Sequence, residues 1–388
     1  MSGHTTQSER RTLGIGMLGY GSMGRAHSSA FSRLSQFFAP LPLEPELVAI
    51  AARSKDRVAD LARRFGYLTT YQTWQDLVAD DRVQLFDNVG PNHLHPEPCI
   101  AAARAGKHVL CEKPLARNAA EARQMLDAVT AAGVVHMCGF NYRFLPAVRL
   151  AKQVIEEGRL GRIIHFRARY QNPALADPSV PMGWRMDRDL AGSGALGDLG
   201  SHIVDMARFL VGEPVAVSGS AQTFVRERPV PGDPNRLAPV TTDDAFQAMV
   251  EFENGASGTL EASKLCLGSQ NRLEFEVNGS DGSLQFNLER LNELQLYLRE
   301  DERSGLAGYR TIQANSANHP FTTHWWPRHP LGWDHAFVHE MSHLLEAIAG
   351  NRKVAPYGAT FEDGYRAAVI CDAILASAES GSKVRIEY

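Results

Sequence analysis

Leu13-Gly14-Ile15-Gly16-Met17-Leu18-Gly19-Tyr20-Gly21-Ser22-Met23-Gly24 sets the reading of this chain. Its first six residues are a short run rich in apolar side chains, the length of a strand, and G-x-G-x-x-G follows with a helical pattern behind it. Glycine suits positions 19, 21 and 24 for physical reasons. The turn is tight, a pyrophosphate must come close to the backbone, and the helix start offers free N–H groups at the positive end of its dipole. The stretch therefore predicts a strand, a phosphate-binding turn and a helix, with Gly19, Gly21, Ser22, Met23 and Gly24 cradling a dinucleotide.

Working outward, further apolar runs lie at 47–52, 83–89, 108–111 and 134–139, with amphipathic helical patterns at 55–65 and 119–132 between them. That alternation predicts a parallel, doubly wound sheet: an α/β dinucleotide-binding domain of Rossmann type over residues 12–140. After residue 141 the texture changes. A helix at 146–157 precedes strand patterns at 163–170, 215–225, 245–252, 258–264, 273–277, 283–286 and 294–298. Asn254-Gly255, Asn278-Gly279 and Asp281-Gly282 favour tight antiparallel connections. The expectation for 141–388 is an α+β domain with a large open, mainly antiparallel sheet, one face covered by helices at 196–210, 333–349 and 361–377. The Pro-rich, polar stretches 172–188 and 226–242 are expected to be long ligand-contacting loops.

Composition narrows the partners. The chain has 388 residues, 44% hydrophobic and 22% charged, in the range of ordinary globular proteins and long enough for two domains. A net charge of -4 without a basic stripe argues against nucleic acid, and no apolar run is long enough to cross a bilayer. The 5 cysteines are dispersed and none forms C-x-x-C, which fits a reducing cytoplasm. Residues 1–11 are polar; the Arg10-Arg11 pair invites an export reading, but glycines break the run that follows. They are expected to form a disordered lead-in.

Four stretches carry chemistry. The second strand ends in Ala51-Ala52-Arg53-Ser54, with no acid for the adenosine ribose and an arginine able to accept a 2′-phosphate, so Arg53 and Ser54 lean the cofactor from NAD towards NADP. Cys111-Glu112-Lys113-Pro114 closes a strand at the ligand-binding edge, where Lys113 can act as a cation or proton donor. Asp198 and His202 stand four apart on a predicted helix, and the carboxylate is expected to raise the basicity of the imidazole and fix its position. An alcohol under oxidation loses its hydroxyl proton as hydride leaves, and histidine, with a pKa near about 6.5, suits that removal. His339-Glu340-Met341-Ser342-His343 matches a zinc-binding pattern, but it follows a complete dinucleotide-binding unit and lacks a convincing third ligand; it reads as a chance match, and no metal is expected.

Taken together, the chain resembles the Gfo/Idh/MocA family of sugar and polyol dehydrogenases over nearly its whole length. The resemblance rests on the glycine turn followed by His27, on Pro91-Asn92-His93-Leu94-His95, on Glu112-Lys113-Pro114, on Asn141-Tyr142-Arg143 and on the 194–202 stretch. It implies NAD(P)-dependent oxidation of a hydroxyl on a cyclic sugar, anhydrosugar or polyol. By the same resemblance Lys113 and His202 form the catalytic pair, and Asp198 holds the sugar or orients His202. Pro91, Asn92 and His95 would line the dinucleotide with Glu112 near the nicotinamide ribose, while Trp184, Arg185 and Tyr142 or Arg143 shape the sugar pocket. A homodimer or homotetramer through the open sheet face is implied too. A sugar-sensing regulator without turnover and an NAD-dependent glycosidase are the alternative activities. Two positions depart from the family pattern: Gly90, where Thr or Ser is common, and Ala52, where NAD users often carry an acid.

Overall fold

The computed structural model describes residues 11–388, so the expected lead-in lies outside the described residues except for Arg11. From the N-terminal side the elements are β1 (Thr12–Leu18), α1 (Ser22–Phe37), β2 (Glu44–Ala51), α2 (Lys55–Phe65), β3 (Thr69–Tyr71), α3 (Trp74–Ala79), β4 (Leu85–Asn88), α4 (Pro96–Arg104), β5 (His108–Glu112), α5 (Ala119–Ala132) and β6 (His136–Gly139). The six strands pair in parallel in the order β3-β2-β1-β4-β5-β6. The central strands are buried on both faces, which is why they read as continuous apolar runs. β3, with three partly exposed polar residues at the edge, gave no such run. Local signals end the helices where the sequence says they should: Asn118 accepts the Glu121 N–H to open α5, and Gly66 and Gly133, at φ 80 and φ 66, close α2 and α5. The strand order reverses direction between β1 and β4, and that is where an open α/β sheet leaves a crevice for a ligand.

The second half contains α6 (Pro146–Glu156), β7 (Ile163–Gln171), α7 (Arg188–Ala191), α8 (Ser201–Leu210), β8 (Pro214–Gln222), β9 (Glu227–Val230), β10 (Asp233–Pro239), β11 (Ala245–Phe252), β12 (Ser257–Ser263), β13 (Arg272–Gly279), β14 (Gly282–Asn287), β15 (Glu293–Leu298), β16 (Arg310–Gln313), α9 (His335–Ala349), α10 (Phe361–Ser380) and β17 (Val384–Arg385). Nine of these strands form one sheet, ordered β16-β15-β14-β13-β7-β12-β11-β8-β17 and antiparallel throughout except for the β12–β7 pair. Burial alternates with period two. Phe166, Ala168 and Tyr170 face the helices, while Arg167 and Arg169 face outward.

Two expectations need correction. The 226–242 stretch is not a structureless loop but the hairpin β9–β10, turned at Gly232 with φ 83. Pro229, Pro234 and Pro239 disguised it, because proline reads as a breaker yet is tolerated in a two-stranded edge. Nor does α9 cover the second sheet. It crosses back onto α1, and Phe337, Val338, Met341, Leu344 and Leu345 join Ile15, Met17, Phe31 and Leu34 in one apolar cluster. α10, opened by a reciprocal Thr360–Asp363 capping box, lies between β8 and α5 and ties the two halves together.

Candidate active site

Strand register lines up the first sheet's carboxyl ends: Leu18 lies opposite Ala51 and Asn88, Asn88 opposite Cys111, and Glu112 opposite Gly139. The segments after them, carrying Arg53, Gly19, Gly90, Lys113 and Phe140, therefore form one row along a single edge. Gly19 has φ +121, and a Cβ there would come within 3.0 Å of Val89. At Gly24 a Cβ would lie 2.8 Å from the Gly19 carbonyl oxygen, so this glycine lets the helix sit against the turn. A Cβ at Gly21 would meet nothing within 4 Å. The start of α1 has no capping side chain and no acid in its first turn. Open space in front of a bare helix N-terminus fits the pyrophosphate of a dinucleotide. Arg53 is exposed at the end of this row and has no ion-pair partner among the described residues, and the Ser54 hydroxyl does not cap α2.

Asn92 donates from Nδ2 to the Ala191 carbonyl at 2.9 Å. His95 is fully buried, with Nε2 2.9 Å from the Gly90 oxygen and Nδ1 3.0 Å from that of Pro114. It braces the loops after β4 and β5 and cannot touch a cofactor, which corrects the expectation that it lines the dinucleotide. Behind Lys113 runs a buried chain of charges. His27 places Nδ1 3.0 Å from Asp87 Oδ2 and Nε2 3.1 Å from Glu112 Oε1, and Glu112 Oε2 accepts the Lys113 N–H at 3.0 Å. Burial works against a charged His27, but Asp87 and then Glu112 outweigh it and hold the imidazole well above its ordinary pKa. The glycine-turn helix is thereby bonded to the strand end that presents Lys113.

The Asp198 turn is anchored by Asp243, whose carboxylate accepts the Gly194 and Leu196 N–H groups at 2.7 and 2.8 Å. Residues 196–200 then make a wide π turn leading into α8, a distortion found disproportionately at functional sites. Asp198 Oδ1 is 3.3 Å from Lys113 Nζ, and Oδ2 is 3.0 Å from Lys264 Nζ and 3.5 Å from Arg185 Nε. Lys113 Nζ also donates to the Asp198 carbonyl at 2.8 Å. Burial opposes the charge on Asp198, yet Lys264, Lys113 and Arg185 together keep its pKa well below the usual carboxylate range. His202 makes no hydrogen bond among the described residues; its ring sits 4.6 Å from Tyr142, 5.7 Å from Tyr170 and 6.1 Å from Phe140. Burial, followed by the charge of Lys113, pushes its pKa well below 6.5. Asp198 pulls the His202 pKa upward, as expected, but burial and Lys113 outweigh it and the imidazole is held neutral; the Asp198 oxygens face cations instead of fixing the ring.

Residues 13–140 match the oxidoreductase family with an NAD-binding Rossmann fold, and residues 148–285 match the GFO/IDH/MocA C-terminal domain. The chain belongs to the Gfo/Idh/MocA family of oxidoreductases. Within that family it is 42% identical to the levoglucosan dehydrogenase of Pseudarthrobacter phenanthrenivorans, across 97% of this chain and 98% of that protein. A solved structure of levoglucosan dehydrogenase in complex with NADH and levoglucosan aligns at a TM-score of 0.93 with 42% identity, over 97% of this chain and 100% of that one. The 1,5-anhydro-D-fructose reductase of Ensifer adhaerens is 33% identical over 62% of this chain and 67% of that protein.

Among the other residues expected at the Gfo/Idh/MocA site, Tyr142 bonds Tyr170 hydroxyl to hydroxyl at 2.8 Å, and Tyr170 donates onward to Asn271 Oδ1 at 2.8 Å. The Arg185 guanidinium stacks 4.2 Å over the Trp184 ring. Arg143 is a correction: it is buried, held by Asp205 at 2.8 and 2.5 Å and by Asp363 at 3.3 Å, and is not free for a sugar. Lys264 and Tyr170 were missed. Alternation of Phe166, Ala168 and Tyr170 with Arg167 and Arg169 could have pointed to Tyr170, but no sequence signal distinguished the lysine that ends Glu261-Ala262-Ser263-Lys264. The zinc-like pattern is packing: His339 Nδ1–H donates to the Phe144 carbonyl at 2.9 Å, Trp325 Nε1–H donates to His339 Nε2 at 2.6 Å, and His343 Nε2 contacts the Val354 carbonyl at 2.7 Å. A broad concavity lies apart from these residues, on the outward face of the second sheet among Arg167, Arg169, Gln247, Met249 and Glu274.

Proposed function

We propose that this family member oxidises a hydroxyl of a cyclic sugar, with anhydrosugars as the favoured class, and delivers the hydride to a nicotinamide dinucleotide. The observation that carries the reading is the convergence on the Lys113 amine, which stands in the same edge row as the glycine turn, of an ionised Asp198 and a neutral His202 that makes no hydrogen bond among the described residues. A bound nicotinamide supplies the acceptor for the hydride. His202 takes the hydroxyl proton, and the Lys113 ammonium stabilises negative charge growing on that oxygen. Asp198, an acceptor only, takes a hydrogen bond from a neighbouring hydroxyl, while Tyr142, Tyr170 and Trp184 give the sugar ring an apolar wall. The substrate leaves as a ketone, two electrons poorer. The 42% identity to a levoglucosan dehydrogenase supports the anhydrosugar class.

Exposed Arg53 beside acid-free Ala52 supports acceptance of NADP; the NADH in the levoglucosan dehydrogenase complex favours NAD as the second reading. The outward sheet face, broad and concave, suits a homodimer or homotetramer contact. No helix among the described residues is long and apolar enough to cross a membrane, and the five free thiols suit a reducing cytoplasm. The test is the absorbance of reduced cofactor with levoglucosan, glucose and myo-inositol, each with NAD and with NADP. Turnover with at least one pair is expected, and Lys113→Ala or His202→Ala should abolish most of it while leaving cofactor affinity in place. Absence of reduced cofactor across the panel overturns the proposal.

A further inference from the structure

Lys264 follows β12 directly and is 3% exposed, with its backbone N–H bonded to the Asp244 carbonyl at 3.0 Å and its own carbonyl accepting the Leu175 N–H at 3.0 Å. Its backbone is thus held on both sides, and its amine ends 3.0 Å from Asp198 Oδ2. Burying an ammonium is costly, and a buried ion pair is often no more stable than the apolar residues that could replace it. Stability alone therefore does not explain a lysine here, the less so because Asp198 already has Lys113 and Arg185 beside it.

Donor counting supplies the reason. An ammonium has three N–H donors. Lys113 places one on the Asp198 carbonyl at 2.8 Å and directs a second, longer contact of 3.3 Å to Oδ1. One donor remains for a substrate. Without Lys264, Asp198 Oδ2 would keep only the longer Arg185 contact at 3.5 Å, leaving the carboxylate free to rotate onto Lys113 and take up its third donor in a two-oxygen pair.

Resting on the dehydrogenase reading above, we propose that Lys264 is a positioning residue of the redox site: it holds the Asp198 carboxylate turned towards itself and so keeps one Lys113 donor free for the reacting hydroxyl. Its effect passes through Asp198, and that sets the test. Wild type, Lys264→Met, Asp198→Asn and the double variant are compared for kcat, sugar KM, NADH affinity and melting temperature. Lys264→Met should lower kcat by about ten- to a hundredfold, the scale of a displaced catalytic group, with NADH affinity unchanged. In the Asp198→Asn background the same change should cost little further, and Lys264→Arg should restore part of the loss to the wild-type background. A Lys264→Met enzyme with wild-type kcat, or a loss that multiplies undiminished with that of Asp198→Asn, overturns the proposal. NADH binding reports whether each variant is folded. If wild type itself reduces no cofactor, the dehydrogenase reading falls instead, and the melting-temperature cycle decides the pair: non-additive shifts keep Lys264 as the holder of Asp198, and additive shifts remove it.

Discussion

Gly21→Ala separates cofactor binding from folding more cleanly than any other single change in the glycine turn. Gly21 has φ -66, an angle alanine adopts without strain, and a methyl group there would meet nothing within 4 Å. Two small stability effects oppose each other. A stiffer unfolded chain favours alanine by about 0.4–1 kcal/mol, whereas the start of a helix disfavours alanine against glycine by roughly the same amount. The melting temperature without cofactor should stay within about 2 °C of wild type. Binding is another matter, because the methyl would fill the open space before the N–H groups of α1 and hold a phosphate away from them. Loss of one charge-assisted hydrogen bond costs about 1.5–3 kcal/mol, which raises the NADH dissociation constant by about 10- to 150-fold. Gly24→Ala is the contrast, since its Cβ would press within 2.8 Å of the Gly19 carbonyl and should lower stability and affinity together. The assays are calorimetric NADH titration and cofactor-free thermal melting. NADH affinity within about twofold of wild type in a normally stable Gly21→Ala protein would refute the placement of the pyrophosphate over this turn.

Three further outcomes are expected. Arg53→Ala should lower the ratio of kcat/KM for NADP over NAD by about tenfold, roughly one charge-assisted contact; an unchanged ratio removes Arg53 from the 2′-phosphate. Asp205→Ala strips the buried Arg143 of its bidentate partner and should cost about 3–5 kcal/mol of stability, seen in chemical denaturation, with sugar KM in the folded enzyme unaltered; a raised KM at wild-type stability would return Arg143 to the pocket. Burial lowers the His339 pKa to about 3, so the fold keeps this imidazole neutral while the unfolded chain protonates it below about 6.5. Its contribution is intact above that pH and is lost on acidification towards 3 at about 1.4 kcal/mol per pH unit. Melting curves between pH 7 and 4 should be flatter for His339→Gln, and identical slopes would show that another group controls acid stability.

How much was legible in the sequence depended on whether partners lie close along the chain. β1, α2 and α5 were readable because apolar period, caps and terminal glycines all act locally. Lys113 and Asp198 could each be picked out from a local motif, but they are 85 positions apart, and no periodicity shows that they meet. For the same reason the direction in which Asp198 acts on His202 was legible, but the burial and the Lys113 charge that outweigh it were not. Four-residue spacing indicates a shared helix face, but cations arriving from β5, β12 and the 184–186 turn decide which way the carboxylate points. Arg143 was placed in the sugar pocket, as an alternative to Tyr142, by the family resemblance alone; its partners Asp205 and Asp363 lie 62 and 220 positions further on. In β9–β10 the prolines concealed a hairpin whose pairing is made by backbone alone.

The return of α9 to the first sheet bears on synthesis of the chain. The parallel strands are complete at Gly139, yet the helix that seals Ile15, Met17, Phe31 and Leu34 begins only at His335. At about 5–20 residues per second, translation leaves that apolar flank bare for roughly ten to forty seconds after its last strand has emerged. During that interval the nascent dinucleotide-binding half exposes apolar surface prone to aggregation, and a fragment ending after β6 would keep the same bare flank permanently.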